Sequence, residues 1–241
     1  MKIIFPFPCV VIDHTHTFSS DSPGYFAEDS LVLTRTVGSE ETEWNDFRLC
    51  LSEHFGTHLD APSHLRRPGA STVDLIPPDR LIGPVVAVDV RDRAAQDDDY
   101  RLAVEDLRSW EDDHGRMPTG CVVVMNSGWQ DRWVDPAGYC NLREGVRHFP
   151  GFSVEAVRWL LEHRDVKGIG VDTLSIDHGP STDYPVHRLL LGSERWALEN
   201  LAALDCIIGA EGVMVVAPLK HRGGSGAPAR VLTFLPTGGD A

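Results

Sequence analysis

Eleven residues constrain this chain more than any other stretch: His54-Phe55-Gly56-Thr57-His58-Leu59-Asp60-Ala61-Pro62-Ser63-His64. A helix fits them poorly. Gly56 and Thr57 are weak helix formers, and Asp60 would point well away from His54 on a helical wheel. Pro62 disfavours the helical region at Ala61. An extended chain instead puts His54, His58, Asp60 and His64 on one face, because their spacings are even. Four residues of straight strand span about 13 Å, too far for two imidazoles that each reach one ion at ~2 Å. The chain must therefore bend between His54 and His58, and Gly56 permits the bend. His58 and Asp60, about 6.6 Å apart along a strand, converge without help. The outcome is a metal-binding set of two histidines and one carboxylate, with positions left open for water and substrate. The His-Glu-x-x-His helix of metallopeptidases is absent. His64 follows the ligands on the same scaffold, either as an acid/base beside the metal or as a third histidine ligand.

The rest of the chain supplies a frame for this run. Short Val- and Ile-rich segments bounded by Gly, Pro or Asp read as strands buried on both faces. They are Pro84 to Val90, Cys121 to Met125, Gly168 to Val171, Val213 to Val216 and Arg230 to Leu235, and Phe47 to Leu51 leads as a strand into the histidine run. Ser153 can cap a helix through His163 that buries Ala156, Val157, Leu160 and Leu161. Ser193 can cap another through Leu201, and a weaker helix covers Val104 to Trp110. This alternation predicts an α/β fold with a mixed sheet. At 241 residues the whole of 1–241 suits a single domain, a length that is ordinary for one α/β unit. The segment 127–152 is long, aromatic and punctuated by Gly and Pro, as functional loops often are.

Composition narrows the function classes. The formal net charge is −14, the opposite of the basic footprint that nucleic acid requires. It also disfavours anionic membranes. Cys9, Cys50, Cys121, Cys140 and Cys206 form no Cys-x-x-Cys pair, so a thiolate zinc site and a redox motif are unsupported. Reduced thiols, and an opening apolar run broken by Pro6 and Pro8, point to a cytoplasmic protein.

A second candidate pair is His187 and Glu199. In one straight helix they would lie about 18 Å apart, so a break at Gly192-Ser193 is needed before a new helix can present Glu199 to the same site.

The histidine run closely resembles the His-x-Gly-Thr-His-x-Asp-x-Pro-x-His motif of the metal-dependent cyclase family, which includes bacterial kynurenine formamidases and isatin hydrolases. The resemblance extends to Gly170-Val-Asp-Thr-Leu-Ser-Ile-Asp177, to the His187…Glu199 spacing, to Gly223-Gly-Ser-Gly-Ala-Pro-Ala-Arg230 and to Asp13-His-Thr-His-Thr17. It implies a swivelling β/β/α fold and homodimers or homotetramers. It also implies hydrolysis of an amide carbon–nitrogen bond by metal-activated water, with Zn²⁺ or Mn²⁺ as cofactor, one or two ions per chain. His54, His58 and Asp60 match the family's first metal site. Asp60 and Glu199 match carboxylates that bridge to a second ion, with His187 as its further ligand. His64 matches the catalytic acid/base.

The expected substrate is a small aromatic formamide or lactam. Trp129, Trp133, Phe149 and Phe152 are candidates to cover it by stacking, with Asp177 and His178 as further contacts. The length of 127–152 looks more like the broader cyclase and isatin-hydrolase branch, and His178 stands where formamidases tend to have proline. Two other classes compete: a cyclase forming carbon–carbon bonds, and a non-catalytic metal-binding protein whose coordination sphere would be closed.

Overall fold

The Val-rich runs close into a barrel, seen in a computed structural model that describes residues 9–26, 29–38 and 43–237; the opening run with Pro6 and Pro8 lies outside them. The strands are β1 (Cys9–Asp13), β2 (Val32–Val37), β3 (Asp46–Cys50), β4 (His58–Asp60) and β5 (Ile82–Asp89). They continue with β6 (Cys121–Asn126), β7 (Val166–Val171), β8 (Trp196–Glu199), β9 (Val213–Pro218) and β10 (Gly226–Pro236). The sheet runs β1-β10-β9-β5-β6-β7-β8-β4, and β4 pairs again with β10, so seven strands close on themselves and β1 flanks them. The pairs β5–β6, β6–β7 and β7–β8 are parallel, while β8–β4 and β4–β10 are antiparallel. This is the mixed-sheet α/β fold that the alternation of strands and helices predicts.

Alternation along each strand sorts side chains to the two faces of the wall. Leu59, Val85, Val122, Val124, Leu198, Met214 and Val231 pack together inside. On β7 the inward positions are Gly168 and Gly170; a Cβ on Gly168 would meet Trp196 at 2.3 Å, and one on Gly170 would meet Leu201 at 2.8 Å. Those glycines make room for large side chains on the neighbouring strand β8 and just after it. Val86, Val123, Met125 and Ile169 face outward against three helices, α1 (Val104–His114), α2 (Val154–His163) and α3 (Pro185–Gly192). Ser153 caps α2, its hydroxyl accepting from the Ala156 amide at 3.1 Å. Among the described residues no helix is long and apolar enough to cross a membrane.

One predicted element is corrected. Ser193 does not open a helix through Leu201: α3 ends at Gly192, the chain turns with Glu194 at φ 55°, and residues 196–199 form a strand. Helix propensity at these positions is worth a few tenths of a kcal/mol per residue. Burying Trp196 in the barrel and completing two strand ladders outweighs it.

The hairpin β2–β3 stands apart. Every residue of both strands is exposed, including Val32, Leu33, Phe47 and Leu49.

Candidate metal centre

Register places the acids and histidines. On β4, Leu59 points into the barrel, so His58 and Asp60 point outward, toward α3. Glu199 on β8 pairs with His58 across the ladder, and facing residues of an antiparallel pair present side chains together on one face. His58 Nε2 lies 3.3 Å from Asp60 Oδ1 and 3.4 Å from Glu199 Oε2. His187, on α3, brings its Nε2 to 3.3 Å from Asp60 Oδ2 and 3.3 Å from Glu199 Oε1. The turn at Gly56 (φ 68°) carries the chain back, so that His54 Nδ1 meets Asp60 Oδ1 at 2.6 Å. Asp60 is thus the hinge of two ligand groups, His54–Asp60–His64 and His58–Asp60–Glu199. The even-spacing argument holds for His58 and Asp60 only: His54 sits in the turn, and His64 ends the 3-10 turn Pro62–His64.

Each ligand atom is aimed by a bond behind it. His58 Nδ1 donates to Gly56 O at 2.8 Å, leaving Nε2 to face the acids. Asp177 accepts from His187 Nδ1 at 2.7 Å and from the amides of Val186 and His187, so it caps α3 and fixes that imidazole together. Glu199 accepts from the Ile176 amide at 3.0 Å. Such outer partners orient metal-binding side chains and set their tautomers.

His58 Nε2 is buried and has no hydrogen-bond partner, although two carboxylates flank it. Buried polar atoms are rarely orphaned. The donor set of imidazole nitrogens and carboxylate oxygens, both carboxylates buried to within 6% exposure, fits a divalent cation. The electrostatics say the same. Burial pushes the His58 pKa down, but Asp60 and Glu199 overcome it and hold it at about 10. Burial likewise opposes the charge on His187, and Asp177, Asp60 and Glu199 raise its pKa well above the usual value. Burial would raise Asp60, yet His54, His187 and His58 keep it well below the carboxylate range. The pocket demands positive charge.

The candidate ligands open onto a cavity of about 320 Å³, within the usual size of small-molecule sites. Tyr25, Phe26, Leu65, Leu174, Tyr184 and Leu191 form its apolar wall; Ser175, Asn200, Asp29 and Arg188 are polar. The Tyr25 and Tyr184 hydroxyls meet at 2.9 Å. His64 lines the cavity with an exposed edge, its ring 4.0 Å from His54 and 5.9 Å from His187. Its pKa is lowered, by burial first; Asp60 and Glu199 pull it up, and His54 and His187 push it down.

The expected substrate contacts are placed differently. None of Trp129, Trp133, Phe149, Phe152, Asp177 or His178 is among the described residues that line the cavity. Phe152 is in the core beneath α2, and Trp129 and Phe149 pack with Tyr139 behind Leu174. Trp133 stacks on His16 at 4.1 Å, bracing the segment that leads to Tyr25. Asp177 touches His187 instead, and His178 sits half-buried near Arg101 and Asp99. Length and aromatic content mark a segment as important without saying which side of a wall it occupies. Tyr25, Phe26 and Tyr184 escape sequence reasoning because they are scattered singly along the chain. Gly24-Tyr25-Phe26 is their one local signal, a glycine followed by an aromatic pair.

The family profile described as "Putative cyclase" matches residues 12–178. The chain belongs to the cyclase family. Within it, the chain is 34% identical over 200 residues to the isatin hydrolase of Roseibium aggregatum, covering 80% of this chain and 75% of that protein. It is 31% identical over 224 residues to the kynurenine formamidase of Salinibacter ruber, covering 92% and 96%. Among solved cyclase-family structures, isatin hydrolase A from Ralstonia solanacearum matches with a TM-score of 0.88 at 35% identity, over 95% of this chain and 92% of that one.

Proposed function

We propose that this cyclase-family chain cleaves the carbon–nitrogen bond of a small aromatic lactam or formamide, of the isatin or N-formylkynurenine type, with His54, His58, Asp60, His187 and Glu199 holding one or two Zn²⁺ or Mn²⁺ ions and His64 moving the proton. It is a metal-dependent amidohydrolase acting on bonds other than peptide bonds. The orphaned Nε2 of His58, set between two buried carboxylates, carries the reading, since a divalent cation satisfies all three groups at once. Both named relatives act on a carbonyl joined to an aniline-type nitrogen, closed in a ring in one case and open in the other, and the apolar wall suits that flat unit.

A bound divalent ion lowers the pKa of water and polarises a carbonyl oxygen. The protein's own groups do the rest. Tyr25, Phe26 and Leu174 bind the ring and exclude water from one side of it. His64, whose pKa lies below the ordinary imidazole value, is neutral at pH 7 and free to take a proton from attacking water. The same imidazole then returns that proton to the departing nitrogen, which leaves poorly while unprotonated. His64 stands close enough to His54 and Asp60 to ligate as well, and metal content of a His64 variant separates the two roles.

The protein works, in this reading, as a single domain and as a cytoplasmic homodimer or homotetramer. A two-stranded hairpin is marginally stable alone. With Leu33, Leu49 and Phe47 on one face, β2–β3 suits burial against a second copy.

Dialysis against a strong chelator, with residual metal measured, is the decisive experiment. Turnover of isatin and N-formylkynurenine should vanish and return with Zn²⁺ or Mn²⁺. Full turnover by metal-free protein would overturn the mechanism.

A further inference from the structure

His54 is the ligand with the most freedom to be wrong. It comes from a turn rather than a strand, its side chain is 24% exposed, and an imidazole can present either nitrogen. A chain of hydrogen bonds behind it removes that freedom. His54 Nε2 lies 3.0 Å from Ser225 Oγ, and Ser225 Oγ donates to Glu53 Oε2 at 2.6 Å. The Ser225 amide donates to the same oxygen at 3.0 Å, and His221 Nε2 donates to Glu53 Oε1 at 2.5 Å. A carboxylate only accepts, so the single proton of the Ser225 hydroxyl is committed to Glu53. The hydroxyl oxygen is then left as an acceptor, and His54 must carry its proton on Nε2. Nδ1 is then the ring nitrogen turned to Asp60, 2.6 Å from its Oδ1. The ring also rests on Gly226, where a Cβ would meet His54 Cε1 at 2.5 Å and Nδ1 at 3.0 Å. No larger residue at 226 leaves room for the ring in this position. Residues 53–54 and 225–226, some 170 apart in sequence, meet through this contact beside the β4–β10 ladder.

We propose that Glu53, acting through Ser225, is a positioning residue that fixes the tautomer and plane of His54 and so presents Nδ1 to the cation. The inference rests on the reading of His54 as a metal ligand. Glu53 is not among the described residues that line the cavity, and His221 and the Ser225 amide hold its carboxylate in place.

The test is the Zn²⁺ dissociation constant of the purified protein, measured by competition with a chromophoric chelator. Glu53→Ala and Ser225→Ala should each weaken binding about 10–100-fold, the usual effect of removing such a partner, with the melting temperature little changed. Glu53→Gln should stay within about threefold of the parent, because its amide oxygen still accepts from Ser225. The double variant Glu53→Ala/Ser225→Ala should bind no more weakly than Ser225→Ala alone, since groups acting in series are not additive. Unchanged affinity in Glu53→Ala, fully additive losses, or failure of Glu53→Gln to rescue would each overturn the proposal. His54→Ala is the reference. If it loses zinc while Glu53→Ala keeps it, the positioning role alone falls. If His54→Ala keeps zinc, the ligand assignment falls and the positioning role with it.

Discussion

Residues 54–64 and 127–152 both stand out in the sequence, one for histidines and one for aromatics, yet they lie on opposite sides of the cavity wall. The histidine run delivers His54 and His64 to the open face and His58 and Asp60 to its buried floor. The aromatic segment supports that floor from behind. The Tyr139 hydroxyl sits 3.0 Å from Asn200 Oδ1, and the Asn200 amide donates to Gly56 O at 2.9 Å, the same carbonyl that aims His58. The difference is one of chemistry. Imidazoles and carboxylates in an even-spaced run have few uses when buried together, so their side of the wall is fixed by type. An aromatic ring is equally at home against a ligand or in a core.

The largest effects should come from breaking the histidine run itself. His58→Ala should lose metal and, with it, about 4 kcal/mol or more of transition-state stabilisation, roughly a thousandfold in kcat/KM. His64→Ala should keep metal and lose about 10²–10⁴-fold. Metal content and rate are read on both purified variants. If His64→Ala also emptied the site, His64 would be a ligand, and the proton would have to move by another group.

The aromatic segment should respond in the opposite currency. Trp129 is buried at 2% exposure, and its Nε1 donates to Tyr139 O at 2.9 Å. Trp129→Ala should cost about 3–5 kcal/mol of stability, as large core truncations do. Phe26, 59% exposed on the cavity wall, should do the reverse. Phe26→Ala should change stability by less than about 0.5 kcal/mol and weaken substrate binding by about 0.5–1.5 kcal/mol. Denaturant melts and KM values for the pair decide the matter. A Trp129 variant that stayed stable and lost substrate affinity would return the aromatic segment to the substrate's side.

Much of this was legible in the chain. The strands around Val86, Val123 and Ile169 can be read because a strand buried on both faces is apolar throughout, whereas those around Val215 and Val231, expected to be covered on both faces, are fully buried on one face only. The bend at Gly56 follows from the reach of an imidazole. Glu199 was assigned to the right neighbourhood on the wrong element. Its strand is dictated by pairing with β4, whose residues are some 140 positions away, and local propensity carries no trace of that. The outer partners Glu53 and Ser225 are hidden for the same reason: each is an ordinary polar residue until the fold sets it behind an imidazole.

The smallest expected effect concerns pH and isolates His64 from the ligands. As a base it must be neutral, so kcat/KM should be full above its pKa and fall as pH drops through it. Burial lowers that pKa from the model-peptide 6.5, and His54 and His187 add to the lowering against the pull of Asp60 and Glu199. A divalent ion beside those ligands adds positive charge and acts in the same direction. The acid limb should therefore be centred below 6.5, and at pH 6.5 the enzyme should keep more than about half of its plateau kcat/KM, where an ordinary imidazole would keep half. Metal must be assayed at every pH, because protonation of His58 and His187 competes with the cation and would mimic the limb. A limb centred at or above 6.5 on fully metallated protein would mean that cavity water or the carboxylates, and not the buried surroundings, set the charge on His64. The ring would then be better described as solvated at the mouth of the site than as the proton carrier within it.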